Sequence, residues 1–129
     1  MNVLVYTDTS AFLKLLVEEA ESKELRSFID ADGREFVSSM LLYTEAHCVA
    51  SRERSITRQS VSAALKAISL IELEVSDLER AGESYWGLRS ADAIHLATAL
   101  RVGAEAMLTY DNELGEAASG MGMDWLKPK

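Results

Sequence analysis

Three features of the sequence predict a three-layer α/β/α sandwich around a central parallel sheet of four to five strands. Short, β-prone apolar runs alternate with segments whose apolar residues recur at helical spacing. The runs are apolar nearly throughout, as strands buried on both faces are, and parallel strands need helical crossovers between them. The only proline is Pro128, the seven glycines are scattered, and no repeat or low-complexity stretch breaks the chain. One continuous domain over residues 1–129 is therefore expected.

The first strand is Val3-Leu4-Val5-Tyr6-Thr7, and Asp8-Thr9-Ser10 leads it into a helix marked by Phe12, Leu13, Leu15 and Leu16. A second helix is expected over 20–31, closed by the Asp32-Gly33 turn, before the strand Glu35-Phe36-Val37-Ser38. Ser38 or Ser39 then caps a long helix in which Leu41, Leu42, Glu45, Ala46 and Val49 share a face. A helix over 57–69 precedes Leu70-Ile71-Glu72-Leu73-Glu74-Val75, which alternates as a strand does. Ser76-Asp77-Leu78-Glu79 has the spelling of a capping box opening the next helix. Ser90 is expected to cap a helix from Ala91 to about Val102, stopped by Gly103. Ala106-Met107-Leu108-Thr109 reads as a buried strand ending in Tyr110-Asp111-Asn112, and a last helix and a short strand around Met123-Asp124-Trp125 complete the order.

Composition narrows the function. A chain of 129 residues buries roughly two thirds of its unfolded surface, enough for a core without disulfides or zinc. Cys48 is the sole cysteine, which excludes an intramolecular disulfide and suits a reducing cytoplasm. His47 and Cys48 read as packing residues, since one Cys and two His lack zinc-site spacing. No apolar run approaches the roughly 18 residues that span a bilayer, and the opening Met1–Val5 meets Asp8 too early for a secretory leader. With 21 acidic residues against 13 basic ones and a net charge of −8, a protein that grips nucleic acid by a basic coat is excluded. Contact with nucleic acid then has to be local or carried by a metal.

In parallel α/β sheets, ligands bind outside the carboxyl ends of the strands. Asp8 directly follows the first strand and Asp111 follows the strand ending at Thr109. If those strands are neighbours, about 4.8 Å apart, the two carboxylates can share a hard cation held by oxygens at about 2.1 Å. Asp92 falls on the first turn of its helix at the same edge, and Glu45 lies on the apolar face of the long helix. No Lys or Arg lies within four residues of Asp8 or Asp111, so local sequence offers no counter-charge, whereas Mg²⁺ or Mn²⁺ would supply one. Taken singly, each aspartate reads first as an ordinary helix cap or first-turn residue. His95, three residues after Asp92, reads either as a residue that touches substrate or orients Asp92, or as a satisfied core histidine.

The stretches Tyr6-Thr7-Asp8-Thr9-Ser10-Ala11-Phe12-Leu13, Thr44-Glu45, Arg89-Ser90-Ala91-Asp92-Ala93-Ile94-His95-Leu96-Ala97-Thr98-Ala99 and Leu108-Thr109-Tyr110-Asp111 together resemble the PIN domain family, most closely the VapC ribonuclease toxins of VapBC toxin–antitoxin systems. The resemblance covers nearly the whole chain. It implies a PIN-like fold with the first and fourth strands adjacent, and a Mg²⁺- or Mn²⁺-dependent endoribonuclease with the acidic quartet Asp8, Glu45, Asp92 and Asp111. It implies that Ser10 and Thr109 support the first aspartate. Asn112 and Glu113 stand where many relatives carry a further aspartate; Glu113 is a candidate extra ligand and Asn112 a supporting residue, and a second metal is in question.

The chemistry expected is in-line attack of a metal-activated water on a phosphodiester, without a covalent nucleophile. Asp8, Asp92 and Asp111 are assigned chiefly to the metal, and Glu45 to the metal or to water positioning. Arg52, Arg54, Arg58, Lys14 and Arg89 are candidate contacts for RNA phosphates, against the alternative of a solvated helix end. The acidic pocket suits an arginine of a VapB-type antitoxin, which can pair bidentately with carboxylates, and apolar helix surfaces are expected to carry a homodimer. A haloacid dehalogenase-type phosphatase also begins with an aspartate after a strand, but Ser10 occupies the position of its second aspartate. An RNA-processing nuclease outside a toxin–antitoxin pair and a PIN-like binding module without catalysis stay open.

Overall fold

The computed structural model describes residues 3–17 and 19–129; Met1 and Asn2, the start of the opening weighed above as a leader, lie outside the described residues. Strands β1 (Leu4–Thr7), β2 (Glu35–Ser39), β3 (Ser69–Ile71), β4 (Ala106–Leu108) and β5 (Asp124–Leu126) form one sheet in the order β3-β2-β1-β4-β5. Every pairing is parallel, and Val5, Tyr6 and Thr7 lie opposite Ala106, Met107 and Leu108. The connections supply α1 (Thr9–Lys14), α2 (Ser22–Ala31), α3 (Met40–Arg52), α4 (Arg58–Leu65), α5 (Val75–Glu83), α6 (Ser90–Arg101) and α7 (Asn112–Gly120).

Side chains alternate across the sheet, so each strand feeds two cores. Val5, Phe36, Ala106 and Leu108 pack against Phe12, Leu25, Leu42, Ala46 and Val61 from α1 to α4. Tyr6, Val37 and Met107 face the other way, onto Leu96, Ala99, Leu114 and Ala118 of α6 and α7. Crossovers from β1 and β2 run outward on one side and the path through α5 and α6 returns across the sheet to β4. The order therefore reverses between β1 and β4, which opens a crevice at their carboxyl ends.

Local chemistry explains most boundaries. The Ser39 hydroxyl accepts the Leu41 N–H at 3.2 Å and caps α3, and Thr57 caps α4 through Ser60. Gly103 adopts a φ of +74°, a left-handed turn that ends α6 at little steric cost. In α7, Gly115 lies where a Cβ would fall 2.0 Å from the Trp125 ring, so α7 and β5 approach as closely as they do only because that side chain is absent. Among the described residues no helix is long and apolar enough to cross a membrane.

Four local expectations need correction. The expected strand over 70–75 stops at Ile71, because its partner β2 ends opposite it at Ser39 and turns into α3. Val75 instead opens α5 and is 72% exposed. The box spelled from Ser76 is displaced: Glu74 occupies the N-cap and its N–H donates to the Asp77 carboxylate at 3.0 Å, while Arg101 also binds that carboxylate. Ser90 is the first residue of α6 and Arg89 holds the cap position without a side-chain bond. Cys48 is exposed rather than packed, while the half-buried His47 ring lies 4.5 Å from that of Tyr43.

Candidate active site

The crevice between β1 and β4 is built around Asp8. Asp8 caps α1, its Oδ1 accepting the Ala11 N–H at 3.0 Å. The Ser10 hydroxyl donates at 2.8 and 2.9 Å to the two carboxylate oxygens, and the Thr109 hydroxyl donates to Oδ2 at 2.6 Å. These hydroxyls also tie down the chain after β4: Ser10 Oγ accepts the Tyr110 N–H at 3.1 Å and Thr109 Oγ1 accepts the Asp111 N–H at 3.0 Å. Asp8 is only 2% exposed. Burial pushes its carboxyl above the ordinary value, opposed by the bonds from Thr109, Ala11 and Ser10 and by His95.

Glu45 approaches from α3, in the opposite helical layer from His95. Its Oε1 accepts from the Thr9 hydroxyl at 2.6 Å and meets His95 Nε2 at 2.8 Å. Burial works against ionisation of Glu45, but His95 and Thr9 outweigh it and hold the carboxyl below its usual value. The other ring nitrogen of His95, Nδ1, lies 2.7 Å from the Tyr6 hydroxyl. Burial raises that hydroxyl to a pKa of about 12, offset in part by the Ser39 and Ser38 hydroxyls, so Tyr6 keeps its proton.

Asp92 sits in the first turn of α6 and Asp111 caps α7 by accepting the Leu114 N–H at 2.9 Å. The Asp92 carboxyl is pushed up to about 6, first by burial, then by the charges of Asp111 and Asp8 and, more weakly, Glu45, with His95 pulling the other way. Three acids from other parts of the chain thus act on Asp92 at one edge of the sheet. Among the described residues, no Lys or Arg forms an ion pair with Asp8, Asp92 or Asp111. Carboxylate oxygens without a counter-charge suit a hard divalent cation. As they stand, no three acidic, His or Cys side chains among the described residues form a closed ligand group.

The remaining sequence candidates divide by position. Arg89 is exposed, three residues before Asp92 at the start of α6. Arg52, Arg54 and Arg58 are also exposed, but Arg52 ends α3, about 10 Å along the helix axis beyond Glu45. Lys14 is engaged by Glu19 at 2.9 Å and Glu21 at 3.1 Å and lies over the Tyr110 ring. Asn112 accepts a bond from Lys127 at 2.6 Å, and Glu113 is exposed on the first turn of α7. His95 turns to Glu45 and Tyr6, with no hydrogen bond to Asp92, because it lies one turn deeper in α6 and is 1% exposed. Tyr6 and Thr9 were not singled out from the sequence. Their signals were a polar tip inside an apolar strand and a hydroxyl immediately after the strand-end aspartate.

The chain resembles known proteins in sequence and in fold. The PIN domain family matches residues 5–120. The chain is 35% identical over 127 residues to Ribonuclease VapC46 of Mycobacterium tuberculosis, covering 96% of this chain and 97% of that protein. In fold it resembles the crystal structure of M. tuberculosis VapC20, a Sarcin-Ricin loop cleaving toxin, with a TM-score of 0.76, 17% identity, and coverage of 96% of this chain and 99% of that one. It also resembles a chain of a toxin–antitoxin complex from Klebsiella pneumoniae, with a TM-score of 0.75, 20% identity, and coverage of 97% and 98%.

Proposed function

The chain belongs to the PIN domain family, and on that premise we propose that it is the toxin of a type II toxin–antitoxin pair, a divalent-metal-dependent endoribonuclease acting as a single domain over residues 1–129. The observation that carries this reading is the mutual charge at the β1–β4 crevice. Asp92 is held up at about 6 by burial and by Asp111, Asp8 and Glu45, and a cation would relieve that repulsion. The ribonuclease name of the full-length relative VapC46 and the toxin–antitoxin assembly of the Klebsiella neighbour support the biological role.

Asp8, Asp92, Asp111 and Glu45 would hold Mg²⁺ or Mn²⁺, with Glu113 a further candidate. When bound, such a cation stabilises charge on phosphoryl oxygens and makes water acidic enough to attack near neutral pH. Ser10 and Thr109 fix Asp8 and favour its ionised form against burial, and Asn112 supports the start of α7. Arg89 is the basic residue suited to phosphates beside the cut. Arg52, Arg54 and Arg58 would meet phosphates farther along the RNA, and Lys14 would have to leave its acidic partners to join them. Water, rather than a side chain, is the nucleophile. The inhibitory partner is a VapB-type antitoxin with a basic group for the acidic pocket, and the toxin works as a homodimer in the cytoplasm.

The test compares purified protein with Asp8→Asn and Asp92→Asn on structured RNAs in Mg²⁺, Mn²⁺ or EDTA. Cleavage by wild type alone, abolished by EDTA, is expected. Equal cleavage by all three proteins, or cleavage that survives EDTA, overturns the metal mechanism. Growth arrest on expression, relieved by a small neighbouring gene, is expected of a toxin; an RNA-processing nuclease would cleave without either effect.

A further inference from the structure

We propose that Tyr6 and His95 are positioning residues that clamp the Glu45 carboxylate by one oxygen, Oε1, and so present the other, Oε2, to a divalent cation. Thr9 and His95 both converge on Oε1, and among the described residues no hydrogen bond reaches Oε2. The proton positions follow from the partners. Thr9 has one hydroxyl proton and gives it to Oε1. His95 Nε2 faces the same carboxylate oxygen and must carry a hydrogen, because a lone pair there would be repelled. In the neutral ring Nδ1 then accepts the hydroxyl proton of Tyr6 at 2.7 Å, and in the charged ring Nδ1–H donates to the Tyr6 oxygen; either bond fixes the ring. The Tyr6 and His95 rings meet edge-on at 5.6 Å between centroids, and both residues are fully buried, so the clamp is set by the core and not by solvent.

The arrangement answers a specific problem. Glu45 belongs to α3, across the edge of the sheet from α6, and it is half-buried, with its charge acting against that of Asp92. His95 lies on the same helix as Asp92 and one turn below it, while Tyr6 lies on the same strand that delivers Asp8. Through these two residues, the position of Glu45 is referred to the elements that carry Asp92 and Asp8. Partners of this kind, which hold a metal-binding side chain without touching the metal, affect metal affinity or activity by about 10–100-fold when removed.

The inference rests on the reading of Glu45 as part of a metal-dependent nuclease centre, and two readouts keep the two apart. Mn²⁺ affinity is measured on the full chain without RNA, by the electron paramagnetic resonance of free Mn²⁺; steady-state cleavage is measured separately. Tyr6→Phe and His95→Ala are expected to weaken Mn²⁺ binding by about tenfold or more and to lower kcat without raising KM for RNA. His95→Gln, which keeps an N–H near Nε2, should recover most of the loss. On a Glu45→Gln background none of these changes should have a further effect. Equal losses on the wild-type and Glu45→Gln backgrounds, or unchanged Mn²⁺ affinity in Tyr6→Phe, would overturn the clamp. Tyr6→Phe removes one oxygen only and serves if His95→Ala does not fold. Coupled Mn²⁺ affinities without RNA cleavage by any form would uphold the clamp and overturn the nuclease reading.

Discussion

The Thr109 hydroxyl donates to Asp8 Oδ2 at 2.6 Å, joining residues 101 positions apart at the carboxyl ends of two adjacent strands. The hydroxyl oxygen of Thr109, Oγ1, also accepts the Asp111 N–H, so one side chain sets the first acid and the approach to the last. Thr109→Val keeps the shape and removes both bonds. It is expected to destabilise the fold by about 1–3 kcal/mol, since a buried acceptor loses its donor, and to reduce cleavage at least tenfold. Thr109→Ser should stay near wild type. Urea unfolding and cleavage rates on the three proteins check this.

Asp92 sets a pH dependence. Its carboxyl is raised to about 6 from 3.8, so its contribution to stability is complete below the unfolded value and is lost as pH rises through 6. Metal-free Asp92→Asn should therefore match wild type at pH 4 and exceed it at pH 7.5 by about 1 kcal/mol, after allowance for partial solvent screening. Mn²⁺ should raise the melting temperature of wild type more than that of the variant. Cation binding, which needs the ionised acid, should strengthen between pH 5 and 7. Thermal melts across that range, with and without Mn²⁺, decide the matter; a variant less stable than wild type at pH 7.5 without metal would contradict it.

Gly115→Ala tests the packing of α7 on β5. The added carbon would meet the Trp125 ring at 2.0 Å, and that ring is anchored by its N–H bond to the Thr109 carbonyl at 3.1 Å. Overpacking of this kind costs about 1–3 kcal/mol. Because the displaced indole is bonded beside Thr109, cleavage should fall along with the melting temperature. Gly82→Ala, at a helical glycine with open space around it, should be neutral or slightly stabilising.

Arg101 and Asp77 form a structural ion pair, with the buried carboxylate held at 2.8 and 3.0 Å by the guanidinium. Burial opposes ionisation of Asp77, but Arg101, with the Glu74 N–H and Thr98, outweighs it and holds the carboxyl below its ordinary value. Arg101→Met should cost about 3 kcal/mol by stranding a buried charge. Asp77 contributes stability above its unfolded pKa and loses it as pH falls through the folded value, so the gap from wild type should narrow in acid. Urea unfolding at pH 7 and at pH 3 measures both.

The α/β class, the order of strands and helices and the placement of Asp8, Asp92 and Asp111 at strand ends and helix starts are legible in the amino-acid order alone. Each depends on short-range physics: apolar periodicity, a capping side chain, or a glycine that admits a left-handed turn. The edge of β3 was less legible, because where a strand stops depends on when its neighbour stops, and Ser39 lies 30 or more residues away. The role of His95 was hidden for the same reason. Its spacing put it beside Asp92, but its bonds go to Tyr6 and Glu45, 89 and 50 positions away.

Arg52, Arg54 and Arg58 cluster in sequence just after Glu45, yet α3 carries Arg52 along its axis away from the sheet's carboxyl edge. Local sequence decided what each segment is and where its acids sit along it. Only the packing of two helical layers across a twisted parallel sheet decided which acids meet, which basic residues stand apart, and that a buried histidine joins α6 to α3. Those contacts depend on distances in space that no local periodicity encodes.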